Sequence, residues 1–311
     1  MTEFSDYKIA VLLPCYNEEV AIAGVVKSFS EALPSATIYV YDNCSTDGTA
    51  KVAAEAGAVV RAEPQKGKGN VVRRMFADID ADVYLMADGD ETYEAAAAPK
   101  LVQKLIDENL DMVVGTRAPE DHLAVSRVGH RMGNEFLTRC VAAVFGKGFT
   151  DMLSGYRAFS RRFVKSFPAM ATGFETETEI TIHALAMNLP TGEVPTRYFE
   201  RPAGSTSKLN TYRDGLRILG TIIRLLESAR PLMFFGCIGL FLAALSLLLS
   251  VPLLETYLET GLVPRLPTAV LVTGMMILAF ISLACGIILN SVSRARTEAK
   301  RLAYLAIKSI S

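Results

Sequence analysis

The chain has 311 residues, half of them hydrophobic, and a formal net charge of −1 at pH 7; its mean hydropathy is +0.28. That length suits one large domain with an appendage, the hydropathy asks for a membrane segment, and the charge balance excludes a general nucleic-acid binder, which carries a basic field. Five scattered cysteines (Cys15, Cys44, Cys140, Cys237, Cys285) show no paired spacing, which excludes a disulfide framework or a zinc site.

In chain order, the apolar run 9–13 closed by Pro14 predicts a first buried strand, and Cys15-Tyr16-Asn17-Glu18 opens a loop into a helix over 19–32. A second strand over 37–41 ends on Asp42. The turn-rich stretch Asp42-Asn43-Cys44-Ser45-Thr46-Asp47-Gly48-Thr49 then supplies capping side chains for a helix over 50–56. A strand over 58–62, a helix over 70–79, a strand over 83–86, a helix over 97–108 and a strand over 112–115 follow. This alternation predicts parallel βαβ units in a doubly wound α/β sheet. Gly67-Lys68-Gly69 lacks Walker spacing and reads as a tight turn before a helix, with a phosphate loop as the weaker reading.

Polar residues gather at the strand ends, where open α/β sheets bind their ligands. The fourth strand stops on Asp88-Gly89-Asp90. Two carboxylates one residue apart can share a divalent cation, Mg²⁺ or Mn²⁺, that takes its other ligands from water and substrate phosphates; a solvated acidic turn fits the same three residues. Glu18 and Asp42 end the first two strands in the same manner, as a nucleotide site at a topological switch point requires. From Gly115 onward come arginines: Arg117 after a strand, Arg127 and Arg131 on one face of a helix predicted over 126–145, and Arg157 after Asp151-Met152-Leu153-Ser154-Gly155-Tyr156. Their planar forks suit phosphate oxygens, although a solubilising role fits Arg127 equally. The three histidines, His122, His130 and His183, show no triad logic and read as structural.

Two uncharged stretches, 232–254 and 266–293, each exceed the roughly 20 apolar residues of a membrane span. Arg224 and Arg230 precede the first; Arg294, Arg296, Lys300 and Arg301 follow the second; the loop between them offers only Arg265. The positive-inside rule then places both ends in the cytoplasm. The short polar N-terminus is no signal peptide, so the first domain is expected to stay there too. Over 210–229, Leu216, Leu219, Ile222, Ile223 and Leu226 recur at helical spacing against Arg213, Arg217 and Arg224, an interfacial amphipathic pattern. Residues 300–310 suit either a second interfacial helix, with Leu302, Leu305 and Ile310 inward, or a frayed tail. The expected organisation is a cytoplasmic domain over 1–209, a juxtamembrane helix over 210–230, a hairpin over 231–293 with spans near 232–254 and 266–292, and a basic tail over 294–311.

The motifs Pro14-Cys15-Tyr16-Asn17-Glu18, Asp42 through Gly48-Thr49, Asp88-Gly89-Asp90, Val114-Gly115-Thr116-Arg117, Arg131-Met132-Gly133-Asn134, Asp151 through Arg157, and Arg201 with Gly204 and Ser207-Lys208 fall in one order over about two thirds of the chain. Together they resemble glycosyltransferase family 2, in its polyprenyl-phosphate, dolichyl-phosphate mannose synthase-like branch with two C-terminal spans. The resemblance implies a GT-A fold and metal-dependent transfer of a sugar from a nucleotide-diphosphate donor to a lipid phosphate at the inner (cytoplasmic) membrane, with multi-pass anchoring. It implies that Pro14, Tyr16, Glu18 and Asp42 hold base and ribose, that Asp88 and Asp90 hold the metal and diphosphate with Asp90 the more direct ligand, and that Arg117 and Arg131, with Arg127 nearby, grip the acceptor phosphate. Arg201, Ser207 and Lys208 match a mobile segment over the site. Asn43 stands where a second aspartate is common, and Thr92 where mannose synthases tend to carry glutamine; both departures lean the donor towards a UDP-sugar, with GDP-mannose as the alternative.

The expected partners are therefore a nucleotide sugar, polyprenyl phosphate and the bilayer, without nucleic acid; homo-oligomer formation stays open. A phosphate acceptor has a second pKa of about 6 and is mostly dianionic at neutral pH, so no catalytic base is obligatory. A processive or oligosaccharide-directed enzyme of the same fold is the first alternative, but the processive acceptor motif Gln-x-x-Arg-Trp needs a tryptophan and the chain has none. A non-catalytic membrane scaffold is the second, opposed by the intact Asp88-Gly89-Asp90.

Overall fold

The computed structural model describes residues 4–117, 149–202 and 211–309, with backbone alone over 211–218. The chain divides into two compact units, Met1–Ile222 with Lys300–Ser311, and Ile223–Ala299. The first is built on strands β1 (Ile9–Cys15), β2 (Thr37–Asp42), β3 (Val59–Ala62), β4 (Val83–Met86), β5 (Met112–Arg117), β6 (Arg157–Ser160) and β7 (Thr191–Thr196). Among the described residues they form one sheet in the order β3-β2-β1-β4-β6-β5-β7. Every neighbouring pair is parallel except those of β6, which runs antiparallel to both β4 and β5. The sheet is thus doubly wound and mostly parallel, as the alternation of elements implied.

Because side chains alternate across a strand, the sheet has two apolar faces. Ile9, Val11 and Leu13 of β1 face α1 (Ile22–Ala32) and α4 (Ala98–Asp107), whereas Ala10 and Leu12 face the other core with α3 (Lys68–Asp78), α5 (Arg161–Ser166) and α6 (Thr176–Ala186). The short α2 (Thr49–Glu55) buries Ala53 in the first core. Strand β1 runs two residues past the end expected at Leu13. Pro14 lies beyond the last residue paired with β4, where a strand can dispense with an N–H.

Three elements carry little signal in the sequence. β6 has four residues, all buried, and opens with an arginine. β7 contains Gly192 and Pro195, which an edge strand tolerates and a central one does not. In α6 nine of eleven residues are buried, charged ones included, so it shows no amphipathic period. The histidine on α6, His183, lies edge-on between Phe163 and Phe167.

Residues 300–311 return to the first unit. Tyr304 is buried in the second core and its hydroxyl donates to Asp111 Oδ2 at 2.8 Å, while Arg162 Nε donates to the Ile307 carbonyl at 2.7 Å and Arg301 to that of Met187 at 2.9 Å. Leu302 and Leu305, expected to face inward, are exposed: on one helical turn they point away from the side that carries Tyr304 and Arg301.

Helix α7 (Thr211–Ala229) leads into the second unit, built of α8 (Pro231–Thr260) and α9 (Leu266–Leu305), both long and apolar enough to cross a membrane. Within it Ser246 Oγ donates to the Val272 carbonyl and Ser282 Oγ to that of Phe235, each at 2.9 Å. A Cβ on Gly239 would stand 2.9 Å from the Ala279 carbonyl oxygen; small residues and hydroxyls of this kind let helices pack in lipid. Many of its apolar side chains, Leu240, Leu248 and Ile288 among them, are exposed.

Candidate active site

The carboxyl ends of β1, β2 and β4 lie side by side in the sheet, because Cys15 pairs with Asp42 and Leu12 with Met86. Asp88 and Asp90 follow β4, with Asp90 3% exposed. Gly89 must be glycine, since a Cβ there would stand 2.5 Å from Cys15 Sγ. Burial first, then the carboxylates of Glu18, Asp42, Asp88 and Asp90, pushes the Cys15 thiol well up. Those four acidic groups, at or just after the ends of three different strands, thus act on one buried point.

Each aspartate is matched by a cation. Lys68 Nζ lies 2.5 Å from Asp88 Oδ1 and 2.5 Å from Glu177 Oε1, and Arg201 Nη2 lies 2.5 Å from Asp90 Oδ2. The Asp90 carboxyl is pushed up by burial and by Asp88, against which Arg201 acts. Thr92 Oγ1 donates to Asp90 Oδ1 at 2.6 Å, so Thr92 orients the carboxylate. Lys68 is raised despite burial, by Asp88 and then Glu177. Gly155 is the second glycine that close approach demands: a Cβ would stand 2.9 Å from Asp88 Oδ2 and 3.3 Å from Lys68 Nζ.

Nearer β1 and β2, Lys66 Nζ lies 4.2 Å from the Tyr16 ring centroid and donates to its hydroxyl. The Glu18 backbone N–H donates to Thr49 Oγ1 at 2.9 Å, which joins the first loop to the N-terminus of α2. Asp42 Oδ2 accepts from the Ser45 N–H at 3.2 Å, and Asp42 Oδ1 is buried with no hydrogen-bond partner among the described residues. Such an orphaned acceptor suits a donor hydroxyl or N–H brought by a ligand. Asn43 makes no such offer. Its Nδ2 donates to the carbonyls of Glu63 and Gln65 at 3.0 and 2.8 Å, and its Oδ1 accepts from the Gly67 N–H at 2.6 Å. Only an amide can donate and accept in this way, so Asn43 serves the segment that carries Lys66 and Lys68.

Across the site, Arg117 ends β5 and makes a two-pronged ion pair with Asp151, Nε to Oδ2 and Nη2 to Oδ1, both 2.7 Å. Among the described residues this uses two of its five N–H donors, and the plane of the fork is set. Arg157 is different. It is completely buried, donates to the carbonyls of Ser154 and Met152 and to Thr181 Oγ1, and its pKa is lowered to about 10 by burial; it holds the 151–156 loop in place. Arg127, Arg131, Ser207 and Lys208 lie outside the described residues, as do His122 and His130. His183 is far from chemistry of this kind: its pKa is lowered to about 3, by burial first and then by the Lys300 charge.

The structure therefore gathers Asp42, Asp88, Asp90 and Arg117 around the carboxyl edge, and it adds Lys68 and Glu177, which sequence reasoning did not assign. Glycines on both sides of Lys68 were the available signal; Glu177 gave none. No cluster of three or more His, Cys, Asp or Glu side chains stands ready for a metal among the described residues. Two hard carboxylates, one of them buried, still fit a divalent cation that draws its remaining ligands from a diphosphate.

Residues 10–166 match the model of Glycosyl transferase family 2. Glycosyltransferase AglJ of Haloferax volcanii is 38% identical over 232 residues, covering 74% of this chain and 76% of that protein. The dolichyl-phosphate hexose transferase of the same organism is 31% identical over 226 residues, covering 72% and 96%. Among solved structures, glucosyl-3-phosphoglycerate synthase from Mycobacterium tuberculosis in complex with Mn²⁺, uridine diphosphate and phosphoglyceric acid superposes with a TM-score of 0.55 at 24% identity, over 72% of this chain and 79% of that one; it shares the fold. A doubly wound sheet with paired carboxylates after its fourth strand, found in a chain so closely related to these proteins, identifies this protein as a glycosyltransferase of GT-A fold belonging to Glycosyl transferase family 2.

Proposed function

We propose that the enzyme transfers a sugar from a nucleotide-diphosphate donor, a UDP-sugar in preference to GDP-mannose, to polyprenyl phosphate, with inversion at the anomeric carbon. The observation that carries the reading is the facing pair of groups, Asp88 and Asp90 on one side and Arg117 clamped by Asp151 on the other. A relative named for dolichyl-phosphate hexose transfer supports the acceptor, and a fold neighbour that holds Mn²⁺ and uridine diphosphate supports the donor class.

In this reading Tyr16, Pro14, Glu18 and Asp42 receive base and ribose, with the orphaned Asp42 Oδ1 as an acceptor for the ligand. Asp88 and Asp90 would hold Mg²⁺ or Mn²⁺, which when bound stabilises the negative charge that develops on the departing diphosphate. Lys68 and Arg201 set fixed positive charge beside the same carboxylates. Arg117, with Arg131 and Arg127, orients the dianionic acceptor for in-line attack, a positioning effect worth several kcal/mol. One displacement inverts, so an α-linked donor gives a β-linked product. Arg201, beside Asp90, would act with Ser207 and Lys208 on the bound substrates, as the resemblance implies. Helices α8 and α9 anchor the enzyme in the cytoplasmic membrane with both ends inside, which brings the site to a lipid whose every buried CH₂ holds it in the bilayer by about 0.8 kcal/mol.

The test is mass spectrometry of lipid extracts after the purified protein is incubated with polyprenyl phosphate, Mn²⁺ and a panel of UDP- and GDP-sugars. A new polyprenyl-phosphate-sugar is the expected product and identifies the donor; sugar found instead only on an oligosaccharide or protein acceptor supplied in parallel overturns the acceptor assignment. Asp90→Ala is expected to abolish transfer while the fold is retained, and unchanged biological activity of that variant would establish a scaffold in place of an enzyme.

A further inference from the structure

The segment that follows β7 is laid across the site in a way the reaction has not yet used. The Phe199 N–H donates to the Thr92 carbonyl at 2.9 Å, the Arg197 N–H to Glu94 Oε2 at 3.0 Å, and Tyr198 forms an isolated antiparallel bridge with Tyr93. These bonds fix residues 197–199 against the stretch that leaves Asp90. Tyr198 lies at the centre. Its ring packs edge-on against Tyr93, with centroids 5.5 Å apart, and the Arg117 guanidinium carbon stands 5.4 Å from its centroid. Its hydroxyl lies beside the Thr92 side chain, whose Oγ1 donates to Asp90 Oδ1 at 2.6 Å.

A continuous series of contacts therefore runs from Asp151 through Arg117, Tyr198 and Thr92 to Asp90. Its two ends differ in chemistry. The guanidinium end suits an acceptor phosphate; the carboxylate end suits the cation and diphosphate of a donor. The cation–π contact and the Asp151 carboxylate together fix where the Arg117 fork stands. The hydroxyl contact acts on a carboxylate that is nearly fully buried, so a small movement of Thr92 is felt by Asp90 with little screening from water.

We propose that Tyr198 is a positioning residue that couples acceptor binding at Arg117 to donor binding at Asp90, so that a phosphate on the first site tightens a nucleotide diphosphate with its divalent cation on the second. This rests on the reading of Arg117 as an acceptor arginine given above. The coupling is reciprocal by linkage: whatever factor the acceptor lends to donor affinity, the donor lends to acceptor affinity. The ring and the hydroxyl divide the work, since removal of the hydroxyl leaves the platform under Arg117 and severs only the tie to Thr92.

The test uses the full chain in detergent, with Mn²⁺ and uridine diphosphate as the donor-side probe and farnesyl phosphate as the acceptor-side probe, both read by calorimetry. In the wild type, saturating farnesyl phosphate is expected to tighten uridine diphosphate about fivefold or more, the low end of the range for coupled sites. Tyr198→Phe is expected to bind each probe alone and to lose that factor, and Thr92→Val, which breaks the same series next to Asp90, is expected to lose it too. Retention of the full factor by Tyr198→Phe, or its absence from the wild type, overturns the proposal; retention by Thr92→Val overturns the route through Thr92. Arg117→Ala separates this from failure of the underlying assignment: if farnesyl phosphate binds that variant as it binds the wild type, the acceptor role of Arg117 is wrong, whereas weakened binding there alongside an intact factor in Tyr198→Phe removes Tyr198 alone.

Discussion

Replacement of Lys68 by methionine tests a buried charge cluster of the site. Its ammonium, 11% exposed, is shared by Asp88 at 29% and Glu177 at 6%, so Lys68→Met leaves two carboxylates and no cation between them. Loss of one partner from a buried ion pair costs about 3–5 kcal/mol. Asp88 can turn towards water and Glu177 cannot, which favours the low end, about 3 kcal/mol. In a domain of this size each kcal/mol moves Tm by about 2–4 °C, so a fall of roughly 6–12 °C is expected in thermal melts of the full chain followed by intrinsic fluorescence. The double variant Lys68→Met/Glu177→Gln removes the stranded charge on α6 and is expected to recover at least half of that loss. Transfer is expected to stay low in the double variant, by about 10²-fold, because a fixed positive charge near the leaving diphosphate is still missing. If Lys68→Met melts with the wild type, the buried cluster is not as described; if the double variant regains full transfer, Lys68 serves only to neutralise Glu177.

Asn43→Asp turns a carboxylate towards the carbonyls of Glu63 and Gln65; a loss of about 2–4 kcal/mol from two broken buried hydrogen bonds is expected in chemical denaturation, with weaker uridine diphosphate binding, and an unchanged midpoint would refute the amide's role. His183 has a folded pKa of about 3 against about 6.5 unfolded, so the unfolded chain takes up the proton first and stability falls as pH drops below 6.5. From pH 7 to 5 this group alone removes about 2 kcal/mol; His183→Leu should flatten that part of the stability curve, and an identical curve in the variant would show that the imidazole is not held neutral. Tyr304→Phe deprives the buried Asp111 of a donor and is expected to lose about 1–3 kcal/mol in thermal melts; no change would mean that this hydrogen bond contributes nothing to stability.

Much of the site was legible before folding, for a physical reason. A buried parallel strand is a continuous apolar run, and its carboxyl end faces ligand, so the halt of such a run at Asp88-Gly89-Asp90 marks a place in three dimensions as well as in sequence. The same logic located Asp42, and the uncharged stretches that became α8 and α9 declared themselves by length alone. Arg117 was visible as a basic residue at a strand end.

Other features exist only through contacts between distant residues. Glu177 sits in a helix buried on nearly every side, where no amphipathic period advertises it, and only the approach of α6 to the start of α3 gives it Lys68 as a partner. β6 is too short to be read and is a strand because β4 and β5 leave a place between them that its antiparallel hydrogen bonds fill. Tyr304 reads as one apolar residue in a basic tail and becomes part of a core because Asp111 and Arg162 wait on the first unit. Local patterning in this protein determined which segments are strands, helices and spans, since periodicity is a property of neighbours in sequence; the partners of its buried charges were decided by the tertiary structure, since a charge can be buried only where a distant residue arrives to meet it.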